Sequence, residues 1–154
     1  MNLTGSAAAE PGCADILAHT GFFSDLSQQQ LRQVSQLARI EEYPQASRIY
    51  SLSEPASDLY VLVDGMVRFT IGLGNRQTHA GQILKRGEVF GWAALVETAP
   101  KRIATALAIT PCTALAINGD QLLILMDQDH TLGYRIMTQL NALITGNLTA
   151  FASG

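Results

Sequence analysis

Residues Lys85 to Ala108 read KRGEVFGWAALVETAPKRIATALA, and they hold the best candidate for chemistry in the chain. Gly91 stands before a run of helix formers, and Arg102 follows just beyond Pro100, at the head of an alternating Ala/Thr run. A glycine that opens a short helix leaves backbone N–H groups without carbonyl partners, which makes a ready anion site. An arginine on the returning strand can reach the same point and offer two parallel hydrogen bonds, which lysine cannot. The chemistry this suggests is recognition of a phosphate or a carboxylate. A solvated strand-end arginine beside a tight-turn glycine would leave the same trace in the sequence.

Other chemistry is poorly supplied. His19, His79 and His130 stand alone on three different elements, so the clustered His and carboxylate ligands of a cupin-type metalloenzyme are missing. No Ser/His/Asp or Cys/His arrangement can be assembled, since Cys112 follows Pro111 at a turn into an apolar strand. Cys13 and Cys112 lie far apart with no CxxC spacing, and read as free thiols. No catalysis, metal or other cofactor is expected.

The elements that must position Gly91 and Arg102 follow from periodicity. Residues 1–12 are small, polar and Gly/Pro-containing and read as a flexible lead to a domain over 13–154. From Cys13 to Ala38 the pattern is helical, with Ser27 and Gln30 spaced as a capping box before Leu31, Val34 and Leu37. Over 39–118 the period changes to two. Short runs such as RIEEY, DLYVLVDG, MVRFTIGL, RIATALAIT and CTALAIN alternate with turn signals, which predicts a β-sandwich or barrel. Asp64-Gly65 reads as a hairpin turn. GEVFG ends a strand, and WAALVETA predicts about two helical turns after it. Over 119–152 the helical period returns, first as GDQLLILMDQ capped by Asp120, then as a longer helix. Met137, Leu140, Ile144, Leu148 and Phe151 form a stripe on that helix, fit either to cover the barrel or to seat a second copy.

Composition bounds the rest. The chain has 154 residues, of which 47% are hydrophobic and 15% charged, the balance of one packed domain. Its net charge is −3 and its ten basic residues are scattered, which argues against a nucleic-acid binder. No apolar run reaches the ~18 residues of a membrane span. The N-terminus has no basic n-region and carries Glu10 and Asp15 where a signal core should be apolar. The expectation is a cytoplasmic protein.

With these features in order, the sequence resembles the cyclic-nucleotide-binding domain shared by the catabolite activator protein, the regulatory subunit of cAMP-dependent kinase and cyclic-nucleotide-gated channels. Tyr60, Gly65, Gly87-Glu88, Phe90-Gly91, Arg102 and the ATA at 104–106 carry the resemblance, which runs from FFSDLSQQQLRQV to the final helix. It implies a mainly β fold with flanking helices: an eight-stranded jelly-roll (double-stranded β-helix) barrel with N-terminal helices and a C-terminal helix that lids the pocket and often dimerises. It also implies that the opening segment is a phosphate-binding cassette. Gly91 then opens the cassette helix, Ala93 and its neighbours supply backbone donors, and Arg102 pairs with the cyclic phosphate of cAMP or cGMP. The family's transcription factors continue into a helix-turn-helix domain, whereas this chain ends at Gly154. That suggests a stand-alone module with no DNA-binding domain and no enzyme activity.

Two positions depart from the family pattern. Ile103 stands where a Ser, Thr or Ala follows the arginine. Trp92 stands where cAMP and cGMP binders carry a glutamate that accepts a hydrogen bond from the ribose 2′-hydroxyl, and an indole offers no acceptor. Such a bond is worth about 1.5–3 kcal/mol, so its loss weakens binding roughly 10- to 150-fold. Glu88 and Glu97 are the nearby carboxylates that could compensate, while Trp92 could stack on a base or plug the pocket. On the final helix, Leu143, Ile144 and Thr145 lie near the expected base-facing position. The leading reading is a regulatory module for a cyclic nucleotide or another phosphorylated small molecule. The alternative is a degenerate domain that has lost the ligand and serves in protein–protein contact or dimerisation.

Overall fold

The computed structural model describes residues 12–72, 74–96 and 100–153. Of the predicted flexible lead, residues 1–11 lie outside these, and Gly12 already belongs to the first helix. Helix α1 (Gly12–Ala18) and helix α2 (Gln28–Ser35) flank a 3₁₀ turn at Gly21–Phe23. The capping box forms as the spacing predicts: Gln30 N–H donates to Ser27 Oγ at 3.1 Å, and Ser27 N–H donates to Gln30 Oε1 at 3.0 Å. The same Gln30 oxygen accepts from Arg135 at 3.1 Å, which ties α2 to the last helix.

Eight strands follow among the described residues: β1 (Ala38–Tyr43), β2 (Arg48–Tyr50), β3 (Asp58–Asp64), β4 (Val67–Ile71), β5 (Thr78–Leu84), β6 (Val89–Phe90), β7 (Thr105–Ala108) and β8 (Cys112–Asn118). They form two four-stranded antiparallel sheets, ordered β1-β8-β3-β6 and β2-β7-β4-β5, and not the closed barrel expected. Asp64-Gly65 is likewise not a hairpin, because β3 and β4 belong to different sheets. The turn instead carries the chain from one sheet to the other. Gly65 sits at φ +101°, where an added Cβ would lie 2.6 Å from the Pro111 carbonyl oxygen, so the turn packs tightly on the β7–β8 connection.

The strand period of two sorts side chains into two cores. Tyr60 and Leu62 of β3 and Ala114 and Ala116 of β8 face the second sheet, joined there by Tyr50, Val67, Phe90, Ala106 and Ala108. The alternate residues Leu59, Val61, Leu115 and Ile117 face the helices, with Leu17, Phe23, Val34, Leu122, Leu132 and Ile136. The alanines are what let the two sheets close around a cluster of large aromatic rings.

Helix α3 (Gly119–Gln128) and helix α4 (His130–Ser153) complete the chain. The cap of α3 is Asn118 and not Asp120: Asn118 Oδ1 accepts from Gln121 N–H at 2.9 Å. Asn118→Ala is therefore expected to cost about 1 kcal/mol of stability, and Asp120→Ala, which removes only a first-turn charge, distinctly less; chemical denaturation of both variants checks the order. Helix α4 runs through Gly146, and no described helix is long and apolar enough to cross a membrane. Leu140 is buried, Leu143 and Ile144 pack on the helix-side core, and Met137 is exposed; the side chains of Leu148 and Phe151 lie outside the described residues.

Candidate functional site

Between the two sheets, four aromatic rings line up beneath one end of the structure. Tyr60 stacks on Phe90 with centroids 5.1 Å apart, Tyr50 lies 6.0 Å from Tyr60, and Phe69 meets Phe90 edge-on at 6.1 Å. Burial holds the Tyr50 phenol above its usual range, although the positive charge of Arg102 opposes that shift. In an unfolded chain the phenol ionises near pH 10, while in the folded protein it keeps its proton. Its contribution to stability is thus intact below about pH 10 and falls by about 1.4 kcal/mol per pH unit above it. Urea midpoints at pH 9.5 and 11 should show a shallower loss for Tyr50→Phe than for the parent protein.

Arg102 rests on this aromatic floor. Its guanidinium carbon lies 4.1 Å from the Tyr50 centroid and 5.7 Å from that of Tyr60. The residue is only 4% exposed. Nη1 donates to the Gly91 carbonyl at 2.9 Å and Nη2 to the Asp58 carbonyl at 2.7 Å. Nε has no partner, and no carboxylate among the described residues pairs with this cation. The Asp58 carboxylate, the nearest by sequence to these contacts, is committed to Arg39, whose Nη2 meets Oδ2 at 2.7 Å. Asp58 thus turns its carbonyl to Arg102 and its charge away.

The backbone fixes this placement. The predicted strand RIATALAIT is paired as strand only from Thr105, so Arg102 lies on the approach to β7. Its amide donates to the Glu54 carbonyl and its carbonyl accepts from Ser53 N–H, both at 2.9 Å. Leu52 N–H donates to Thr105 Oγ1 at 2.9 Å, so the segment after β2 backs the arginine from both sides.

Gly91 closes the other side. It adopts φ +78°, and a Cβ there would meet Arg102 Nη1 and Tyr60 Cδ2 at 3.0 Å each. Only glycine combines that left-handed backbone with so close an approach. After it comes a single 3₁₀ turn, Trp92–Leu95, shorter than the two helical turns expected; residues 97–99, including Glu97, lie outside the described residues. Ala93 is buried in this turn, and Ile103, next to Arg102, is 46% exposed at the rim. Trp92 is half-buried: it lines the pocket and also packs against the helix-side core. Gly91, Trp92, Ala93, Arg102 and Ile103 thus all border one cavity of about 40 Å³. That holds a few waters, against about 300–1,000 Å³ for a typical ligand pocket. Leu143, Ile144 and Thr145 do not line it.

The structure brings Gly91 and Arg102, both singled out in the sequence, into contact, and adds Tyr50 and the Asp58 carbonyl, which were not. Alternation could not single out Tyr50, because Ile49 and Tyr50 are adjacent, the strand register is irregular between Arg48 and Tyr50, and both side chains enter the same core. A backbone carbonyl leaves no trace in the sequence. Elsewhere, both cysteines are buried, and no group of three His, Cys, Asp or Glu able to hold a metal occurs among the described residues.

Comparison with known proteins places this geometry. The chain is similar in structure to a cyclic nucleotide-binding domain from Methylobacillus flagellatus, at 19% identity and a TM-score of 0.74, covering 89% of this chain and 76% of that one. It is similar to the Thermus thermophilus catabolite activator protein, at 24% identity and a TM-score of 0.69, covering 83% and 58%. It is also similar to the regulatory domain of Toxoplasma gondii PKA solved with cAMP, at 17% identity and a TM-score of 0.67, covering 89% and 48%. A search of curated protein sequences finds no match. Residues 40–129 match the family model of the cyclic nucleotide-binding domain. The span from β1 to the end of α3 thus carries the family's sequence pattern, and the chain belongs to the cyclic nucleotide-binding domain family.

Proposed function

We propose that this protein is a regulatory sensor module that binds a cyclic nucleotide, cAMP or cGMP, or a related phosphate-bearing ligand, with the anion on Arg102. The observation that supports this reading best is the unpaired cation: a guanidinium 4% exposed, with Nε unpartnered and no described carboxylate to neutralise it. A buried charge without a counter-ion is costly, and a bound anion relieves that cost. Two of the five guanidinium N–H donors are held by carbonyls and one flat face is covered by Tyr50, which leaves three donors, on Nε, Nη1 and Nη2, for phosphate oxygens. The Trp92 and Ala93 amides at the start of the 92–95 turn add donors beside them. In this reading the strands form the family's jelly roll, the module works in the cytoplasm, and α4 serves in homodimerisation. The small cavity means that the ligand widens the site on entry, with Trp92 and Ile103 as its movable rim.

The test is a calorimetric titration with cAMP and cGMP to millimolar concentration, with the fluorescence of the sole tryptophan followed in parallel. Saturable one-site binding of either nucleotide with a change in emission is expected. No heat and no change in emission with both would overturn the cyclic-nucleotide reading and favour a degenerate domain with Trp92 as a plug.

A further inference from the structure

The side chains around the cavity are unequal in hydrogen-bonding character. Among the described lining side chains, only Tyr50, Trp92 and Arg102 carry polar atoms. The guanidinium and the indole N–H donate and cannot accept, and only the Tyr50 phenol does both. No described lining side chain is a carboxylate. Two of the described carboxylates near the site in sequence are turned elsewhere. Asp58 holds Arg39, and Glu88 Oε2 accepts from Lys85 N–H at 2.9 Å and so closes its own turn. Of the nearest backbone acceptors, the Gly91 and Asp58 carbonyls are already taken by Arg102. The remaining walls, Phe69, Leu84, Phe90 and Ile103 among them, are apolar.

A pocket with this inventory rewards acceptors at one point and apolar surface elsewhere, and has little to offer a hydroxyl that must donate. We propose that the pocket selects an anion carried on an apolar, hydroxyl-poor body, so that a 2′-deoxy cyclic nucleotide or an aryl phosphate ester binds at least as well as the ribonucleotide. This selectivity rests on the phosphate-binding reading of Arg102 and deepens it by naming the ligand class. An anion docks on the guanidinium donors that no carbonyl holds, and its body lies against Phe69, Trp92 and Ile103. A ribose 2′-hydroxyl brought into the same space meets no described side-chain acceptor other than the Tyr50 phenol and loses its water.

The experiment compares dissociation constants of the full chain for cAMP, 2′-deoxy-cAMP and 1-naphthyl phosphate, with the Arg102→Met variant beside it. The 2′-deoxy form is expected to bind between equally and about tenfold more tightly than cAMP, the modest range over which an apolar site discriminates a hydroxyl. A cAMP affinity more than about threefold above that of its 2′-deoxy form would overturn the selectivity while leaving the phosphate reading intact, since an acceptor would then reach the ribose. Binding of naphthyl phosphate alone would support the selectivity and overturn the cyclic-nucleotide reading. Failure of all three probes overturns both. Any binding that survives Arg102→Met lies outside this pocket and counts against the proposal.

Discussion

Arg102→Met is expected to cost at least about 100-fold in anion affinity while moving the stability of the unliganded protein by no more than about 2 kcal/mol. The two numbers come from different balances. In the free protein the guanidinium makes two charge-assisted bonds to carbonyls and stacks on Tyr50. Together these are worth several kcal/mol, at about 1.5–3 for each bond and 0.5–2 for the stacking. Against them stands the desolvation of a cation with no counter-ion, also several kcal/mol. The terms oppose and nearly cancel, and methionine refills most of the volume. In the complex nothing cancels, because the desolvation cost is already met and each phosphate contact is lost outright. Arg102→Lys separates charge from shape: it keeps a cation but cannot hold two carbonyls and still present a forked edge, so it should recover little of the affinity. Thermal denaturation without ligand and calorimetry with cAMP read the two quantities. A stability loss as large as the affinity loss would mark Arg102 as a structural strut.

Why could the arginine be found in the sequence, but not its surroundings? Arg102 and Gly91 carry side-chain identities that only a few environments tolerate, and their order along the chain is enough to single them out. What the sequence cannot express is which backbone carbonyls they meet. Asp58 is the clearest instance, because its side chain points to an ion pair with Arg39 while its main chain grips Arg102. From the letter alone one would pair the carboxylate with the nearest functional cation. The real arrangement leaves Arg102 without a counter-ion among the described residues, which is the feature the proposed function rests on.

The fold was legible to a similar depth. Period-two runs marked nearly every strand, and the Ser27–Gln30 box marked the start of α2 where it occurs. Sheet membership was not legible, because Asp64-Gly65 has the composition of a hairpin turn in any context. Its strands part because Tyr60 and Leu62 are drawn against β7 and β4 across the sandwich, while their backbone bonds go to β8 and β6. The length of the 92–95 turn was misread for a related reason. Helix propensity continues through Val96, but the turn is packed against α3, and packing overrides propensity over so short a run.

That packing yields the second large effect: Gly119→Ala is expected to destabilise the protein by about 2–3 kcal/mol, at the upper end for overpacking by one methyl. Gly119 is the first residue of α3, and its conformation is ordinary, so backbone strain is not the cause. The cause is contact. A Cβ there would lie 2.5 Å from the Ala94 carbonyl oxygen and 2.9 Å from the Ala94 Cβ, both in the turn that follows Gly91. Neither atom is the far end of a flexible side chain, so the turn or the helix must move as a unit. Gly119 is anchored by its amide, which donates to the Ser57 carbonyl at 2.8 Å, one residue before the Asp58 carbonyl that holds Arg102. The strain therefore reaches Arg102 from two directions, through the 92–95 turn and through the start of β3. Weakened anion binding should accompany the lost stability, in contrast to Asn118→Ala one residue away, which loses only a cap. Urea denaturation and a cAMP titration of both variants separate the cases. A Gly119→Ala protein of parental stability would mean that the turn and α3 slide past each other freely. The close contact at Gly119 would then not be what positions Gly91 and Trp92 around the arginine.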